Sequence, residues 1–419
     1  MSLLKLYSQL SEEQKELIHF CTNKNENIFL EGPPWSGKLL ICLYSLRNSM
    51  ERSNISSLCM VSNNAMYGYM HTALKELGID EQTYIASKDK YFWKMAAEYG
   101  VSISMISDYY ENYDSILTNL LKEDIEEKYD LIIVNEVQDY FSKEWELIKR
   151  IAKKILCYAD FKQAVYDNKV ERDTILKDCI HKLLHFPEAN VAAAKLMRVR
   201  DYFFADNTDD TESSAKNSLF FEENDIGTIG PYYKFINVRY EDEYKAIADI
   251  IKALEPKNSR VAVICPDNNR FAELSFYLKS HSIDHTYYEI NGDLKNHDFT
   301  STSPLFISIF NAEGLQFDNV ILFGFDQSNY IIQMKRKENR LNIILYVSMT
   351  RARDTTYIVR SEDGVGIKKN VWPLINFDCN QKTVSFQDTT QFFMGQNEEN
   401  DMKYLTLHHE ERDTWKLRK

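Results

Sequence analysis

Apolar residues recur along this chain in short bursts, separated by longer stretches in which they return every three or four positions. That rhythm predicts strands alternating with helices. Ile28-Phe29-Leu30 is a buried strand, and Leu39 to Met50 has helical period. Ser57-Leu58-Cys59-Met60-Val61 is a second strand running into a loop at Ser62-Asn63, followed by a helix from Ala65 to Leu77. Leu131-Ile132-Ile133-Val134 and Ile155-Leu156-Cys157-Tyr158-Ala159 continue the series. Residues 206–225 are acidic and rich in Ser and Asn, and read as an exposed loop. Alternation then resumes. Helices are expected at Tyr244–Leu254 and Asn269–Ser280. Strands are expected at Arg260–Cys265, Tyr287-Tyr288, Leu305–Ile309, Val320–Phe323 and Tyr357–Val359. Continuous apolar strands need cover on both faces, so the fold class expected is α/β with parallel sheets. The domains expected are 1–185, with a small helical insertion at about 80–128, then 186–375, then an extension at 376–419 without a usable pattern.

Candidate chemistry gathers at the carboxyl ends of these strands. The first strand runs into Glu31-Gly32-Pro33-Pro34-Trp35-Ser36-Gly37-Lys38-Leu39. A glycine-bearing turn between strand and helix lets backbone N–H groups cradle phosphates, and the lysine reaches the terminal ones. Gly32, Pro33, Ser36, Gly37 and Lys38 are therefore candidate nucleotide contacts. Leu39 stands where the motif asks for a hydroxyl to bind Mg²⁺. The Leu131 strand ends in Asn135-Glu136-Val137-Gln138-Asp139, where open α/β sheets place ligands. Glu136 is a candidate to polarise an attacking water; otherwise the segment is a solvated acidic turn. Gln163 either orients water or senses a terminal phosphate, or is an ordinary loop glutamine. Arg198 either reaches a phosphate or ends a solvated helix. Arg351, in Leu345-Tyr346-Val347-Ser348-Met349-Thr350-Arg351-Ala352-Arg353, is either an arginine finger or a helix-surface residue. Gln14 closes a capping box with Ser11, or contacts an adenine edge.

Size and charge narrow the partners. The chain has 419 residues and 44% hydrophobic content, enough for two or three domains with full cores. A net charge of −13 argues against a surface built wholly as a nucleic-acid clamp and suits docking to a basic protein. Seven cysteines without a C-x-x-C pair fit a reduced, cytoplasmic setting. Nine histidines show no zinc spacing; His281 and His285, four apart, read as surface or packing residues. No apolar run is long enough for a membrane span, and residues 1–10 lack a secretory pattern.

Taken in order, these segments resemble a superfamily 1 helicase of the UvrD/Rep/PcrA type, from Leu10 to about Asp354. Gln14 falls in the family's Q motif and Gly32–Lys38 in motif I. N-E-V-Q-D at 135–139 stands for D-E-x-Q-D, and A-D-F-K-Q-A-V-Y at 159–166 for G-D-x-x-Q-x-I-Y. Arg198 matches the motif IV arginine, and 308–317 matches motif V in outline. L-Y-V-S-M-T-R-A-R at 345–353 matches the last motif closely. The resemblance implies two RecA-like P-loop domains facing each other across a nucleotide cleft, with the large insertion of the second domain absent. It also implies ATP as cofactor, bound by Lys38, Glu136, Gln163, Arg198 and Arg351. The departures concern the metal and the nucleic-acid track. Leu39 and Asn135 replace metal ligands, Met197 replaces an adenine-stacking tyrosine, and Phe310, Glu313 and Gln316 replace His, Lys and Glu. The leading expectation is a helicase-fold subunit that binds nucleotide, with Mg²⁺ weak or absent and little or no hydrolysis. It would dock a protein partner in a nucleic-acid-processing or antiviral-defence complex, signalling by nucleotide-dependent closure. The alternatives are an active translocase on single-stranded DNA or RNA, and a scaffold that binds no nucleotide.

Overall fold

The structure is a computed structural model and describes residues 3–101, 108–166, 169–185, 199–200, 203–204, 232–266, 268–362, 375–376 and 385–386. The chain divides into two compact units, Met1–Asp206 with Gly227–Val371, and Asn207–Ile226 with Trp372–Lys419. The first unit carries two parallel sheets. One comprises β1 (Ile28–Glu31), β2 (Ser57–Val61), β3 (Thr83–Ser87), β4 (Leu131–Val134), β5 (Ile155–Ala159) and β6 (Ile180–Leu183), in the order β3-β2-β4-β5-β1-β6. The other comprises β7 (Tyr232–Arg239), β8 (Val261–Cys265), β9 (Leu305–Ser308), β10 (Phe317–Leu322) and β11 (Ala352–Glu362), in the order β7-β11-β10-β8-β9. In the second unit, β12 (Ile375–Asn376) and β13 (Ser385–Phe386) pair antiparallel.

The central strands β2, β4, β5 and β8 are buried at every residue. Helices supply the cover that their unbroken apolar sequences require. Around the first sheet these are α1 (Glu12–Asn23), α2 (Lys38–Arg52), α3 (Asn64–Leu77), α4 (Lys88–Glu98), α5 (Tyr109–Leu120), α6 (Ser142–Ile151) and α7 (Arg172–Asp178). Around the second they are α8 (Glu243–Leu254), α9 (Asn269–Ser280), α10 (Tyr330–Lys337) and α11 (Leu341–Met349), with a helical turn at Ile309–Ala312. Phe29, Met60, Val134 and Trp145 anchor one core, and Val263, Phe271, Phe306 and Phe323 the other.

Topology locates the site. The chain leaves β1 toward β2 on one side, and leaves the adjacent β5 toward β6 on the other. Loops diverging from neighbouring strands open a crevice at their carboxyl ends, where open α/β sheets take ligands.

Three strands depart from the expected pattern. Residues 80–128 do not begin as a helical insertion: Thr83–Ser87 forms β3 and pairs in parallel with β2 before α4 and α5 follow. Strands β6 and β7 also form where none was expected. Tyr287 and Tyr288 instead form no strand. Thr286 makes a single bridge to Leu305, and the tyrosine rings pack against Phe306 and His297. No helix among the described residues is long and apolar enough to cross a membrane.

Candidate functional site

The turn between β1 and α2 is held by two left-handed residues, Trp35 at φ 69° and Gly37 at φ 87°. Glycine adopts that conformation freely, and here it is also required for space. A Cβ on Gly37 would lie 2.4 Å from Gln14 Nε2. Gln14 divides its amide between two tasks. Its Oε1 accepts from Ser11 N–H at 3.2 Å, completing the capping box of α1, and its Nε2 faces the Ser36 carbonyl at 3.5 Å. The capping contact and a place beside the turn therefore coexist.

Lys38 opens α2 and is buried. Its Nζ donates to the carbonyls of Gly32 at 2.6 Å and Pro33 at 2.9 Å. Burial pulls its pKa down, with Glu136 pulling the other way. Glu136 follows β4 at φ 47° and accepts from Gln138 Nε2 at 3.1 Å. Burial raises its pKa against the opposing charge of Lys38. Gln163, after β5, donates to Asp160 Oδ2 at 3.0 Å and accepts from Arg351 Nη2 at 2.5 Å. Arg351 lies just beyond α11, on the second sheet's side. It also donates to the carbonyls of Val347 at 2.8 Å and Leu315 at 3.2 Å. Trp35 Nε1 reaches across in the other direction, to the Thr350 carbonyl at 3.0 Å.

These residues meet around one cleft of about 140 Å³, lined by Gln14, Gly37, Lys38, Glu136, Gln163 and Arg351. Gly32, Pro33 and Ser36 form the body of the turn, and Ser36 Oγ donates to the Pro33 carbonyl at 2.9 Å. Arg198 lies outside the described residues, as does Met197.

The donor set suits a triphosphate: an ammonium, a guanidinium, and backbone N–H groups at the start of α2. It does not suit a magnesium ion held by the protein. Leu39 lines the cleft with hydrocarbon. Asn135 is fully buried, and both ends of its amide are engaged: Nδ2 donates to the Tyr158 hydroxyl, and Oδ1 accepts from Ser62 Oγ at 3.3 Å. His281 stacks on Tyr277 at 4.2 Å, and His285 stacks on Phe306 at 5.0 Å.

Sequence reasoning did not single out three participants. Trp35 ties the turn to the far sheet. Asp139 and Glu313 form a buried carboxyl pair beside the cleft. Both carboxylates stand inside the motif segments, so the signal was an acid on each of two facing loops.

No protein-family model matches this chain, and no curated protein matches it. Among solved structures, the C-terminal domain of a possible DNA helicase from Lactobacillus plantarum WCFS1 is weakly similar. The match covers 41% of this chain and 88% of that one, at 16% identity and a TM-score of 0.28.

Proposed function

We propose that this chain is a UvrD-like, RecA-like helicase-fold subunit that binds ATP or a related nucleotide, turns it over slowly or not at all, and works by docking a protein partner. The observation that carries the reading is a division within one cleft. Lys38, Glu136, Gln163 and Arg351 converge on it, while the two positions suited to holding a metal are an alkyl side chain and a fully committed amide. Lys38 and Arg351 would meet the terminal phosphates, Gln163 would orient Arg351, and Glu136 would face the attacking water. Mg²⁺ would arrive with the nucleotide and neutralise phosphate charge without a protein ligand. Losing such positioning costs on the order of 10²-fold in turnover per group.

A cleft of about 140 Å³ is below the roughly 300 Å³ at which ligand pockets begin. With the Trp35–Thr350 and Arg351–Gln163 bonds spanning it, entry on this reading parts the sheets first, and the signal passed to a partner is opening on binding rather than the nucleotide-dependent closure expected from the sequence. A nucleic-acid-processing or antiviral-defence complex is the setting we favour.

The second reading is a working translocase on single strands. It draws on the intact Gln163–Arg351 contact and on a neighbouring groove of about 680 Å³ lined by Tyr166, Phe310, Lys169 and Lys335. Calorimetry with ATP, with and without Mg²⁺, combined with an ATPase assay with and without single strands, separates the readings. Binding lost in Lys38→Ala, with turnover near background, supports the first. Strand-stimulated turnover abolished by Glu136→Gln supports the second, and no ATP binding at all leaves a scaffold.

A further inference from the structure

A smaller cavity of about 100 Å³ lies beside the cleft, between the two sheets. Asp139 and Glu313 line it, 1% and 2% exposed. Neither Asp139 oxygen, nor Glu313 Oε1, meets a donor from any other residue, and the two carboxyl groups hydrogen-bond each other from different sheets. Buried polar atoms nearly always find partners, and here the two acids have only each other, so the pair keeps acceptor capacity that no other residue uses. The walls include the rings of Tyr110, Phe141, Tyr166 and Phe310, and the same four rings continue into the wider groove. The chain already rests its own cations on these faces. Lys169 Nζ lies 3.5 Å from the Phe141 centroid, and Lys335 Nζ lies 5.7 Å from that of Phe310.

We propose that this pocket receives the guanidinium of an arginine presented by a protein partner. A planar fork satisfies two carboxyl groups at once, and its faces stack on aromatic rings. The floor offers a phosphate backbone no donor, because Lys88 is paired with Asp89 and Glu144 and Lys169 rests on the Phe141 ring, and the chain's net charge of −13 favours a basic partner. The inference deepens the partner-docking half of the function proposed above and does not depend on nucleotide binding.

Without a cation, the pair holds a proton. Burial, then the charge of Glu136, lifts Asp139 to about 7, and burial lifts Glu313 further above its ordinary range. The other charges facing the pair are Lys88, Lys169 and Arg351. Lys88 is paired with Asp89 and Glu144. Burial, then the charge of Lys88, depresses Lys169 to about 8. Guanidinium entry displaces the shared proton, so binding strengthens as pH rises through about 7, where Asp139 ionises, and goes on strengthening while Glu313 still holds its proton. Loss of the Lys169 charge above about 8 strengthens it further.

The full chain is titrated with N-acetyl-L-arginine amide by calorimetry, in two buffers of different ionisation heat. The expected result is saturable binding with proton release at neutral and acid pH, weakened at least about tenfold in Glu313→Gln and in Asp139→Asn. Each variant replaces a buried carboxyl by an amide of the same size, and urea unfolding checks that both fold. Lys38→Ala keeps arginine binding, whatever becomes of ATP. No saturable binding to the unaltered chain, or binding in the two carboxyl variants as tight as in the unaltered chain, overturns the proposal. So does an oligothymidylate that competes for the pocket.

Discussion

At position 135 one amide is held by two hydroxyls, Tyr158 accepting from it and Ser62 donating to it. An aspartate there could keep both bonds if the tyrosine hydroxyl turned to donate. It would, however, place a second acid in a dry site close to Glu136. Buried charge without a counter-ion is costly. Asn135→Asp is therefore expected to lower stability by about 1–3 kcal/mol. It should not confer Mg²⁺-dependent nucleotide binding by itself, because Leu39 still offers the ion nothing. The double variant with Leu39→Ser supplies both oxygens, and Mg²⁺ should then tighten ATP binding. Urea midpoints give the first result and calorimetry with and without Mg²⁺ the second. If the single change alone makes ATP binding strongly Mg²⁺-dependent, the account of this position is wrong. Asparagine in place of aspartate was legible in the sequence. Its pinning by Tyr158, 23 positions away, was not, because that contact exists only once β4 and β5 are side by side.

Helices α10 and α11 attach the second sheet to the loop that carries Gln163. Lys335 Nζ donates to the Val165 carbonyl at 2.8 Å, and Arg340 Nη1 to the Ala164 carbonyl at 2.7 Å. These charge-assisted bonds fix the residues next to the Gln163–Arg351 contact. Lys335→Met or Arg340→Met should cost about 1–3 kcal/mol each. Hydrogen exchange should quicken in 161–166 and 341–349 while β1, β4 and β5 keep their protection. A uniform loss of protection would show that the bonds hold the whole fold rather than this joint. The same scale explains which strands could be read in advance. Strands β2, β4, β5 and β8 lie inside their sheets and are written as unbroken apolar runs. The three that escaped, β3, β6 and β7, are all sheet edges. An edge strand pairs on one side only and tolerates polar residues along its length. Ile-His-Lys-Leu and Tyr-Tyr-Lys-Phe-Ile-Asn-Val-Arg show this. Strand β9 is also an edge, yet it is buried at every residue and was legible for that reason.

Across the whole molecule the two sheets are latched together at the cleft. Trp35 donates to Thr350, Arg351 to Gln163, and Lys38 is folded back on its own turn. On the function proposed above, a nucleotide would exchange these contacts for its own, and its apparent affinity would be reduced by the free energy of parting the sheets. Each neutral bond given up is worth about 0.5–1.5 kcal/mol. A change that weakens the latch without touching phosphate donors should therefore improve binding. Trp35→Phe removes the bond to Thr350 while keeping an aromatic ring in the turn. It should tighten ATP binding by roughly two- to tenfold, and lower stability by a similar free energy. In the unaltered chain, Trp35 becomes more exposed as the sheets separate. Its emission, taken as the difference from Trp35→Phe, should then shift to the red on adding ATP, and Lys38→Ala should abolish the shift. Weaker ATP binding in Trp35→Phe would mean that the indole contacts the nucleotide rather than guarding it. An unshifted emission at saturating ATP would mean that the cleft admits its ligand without opening.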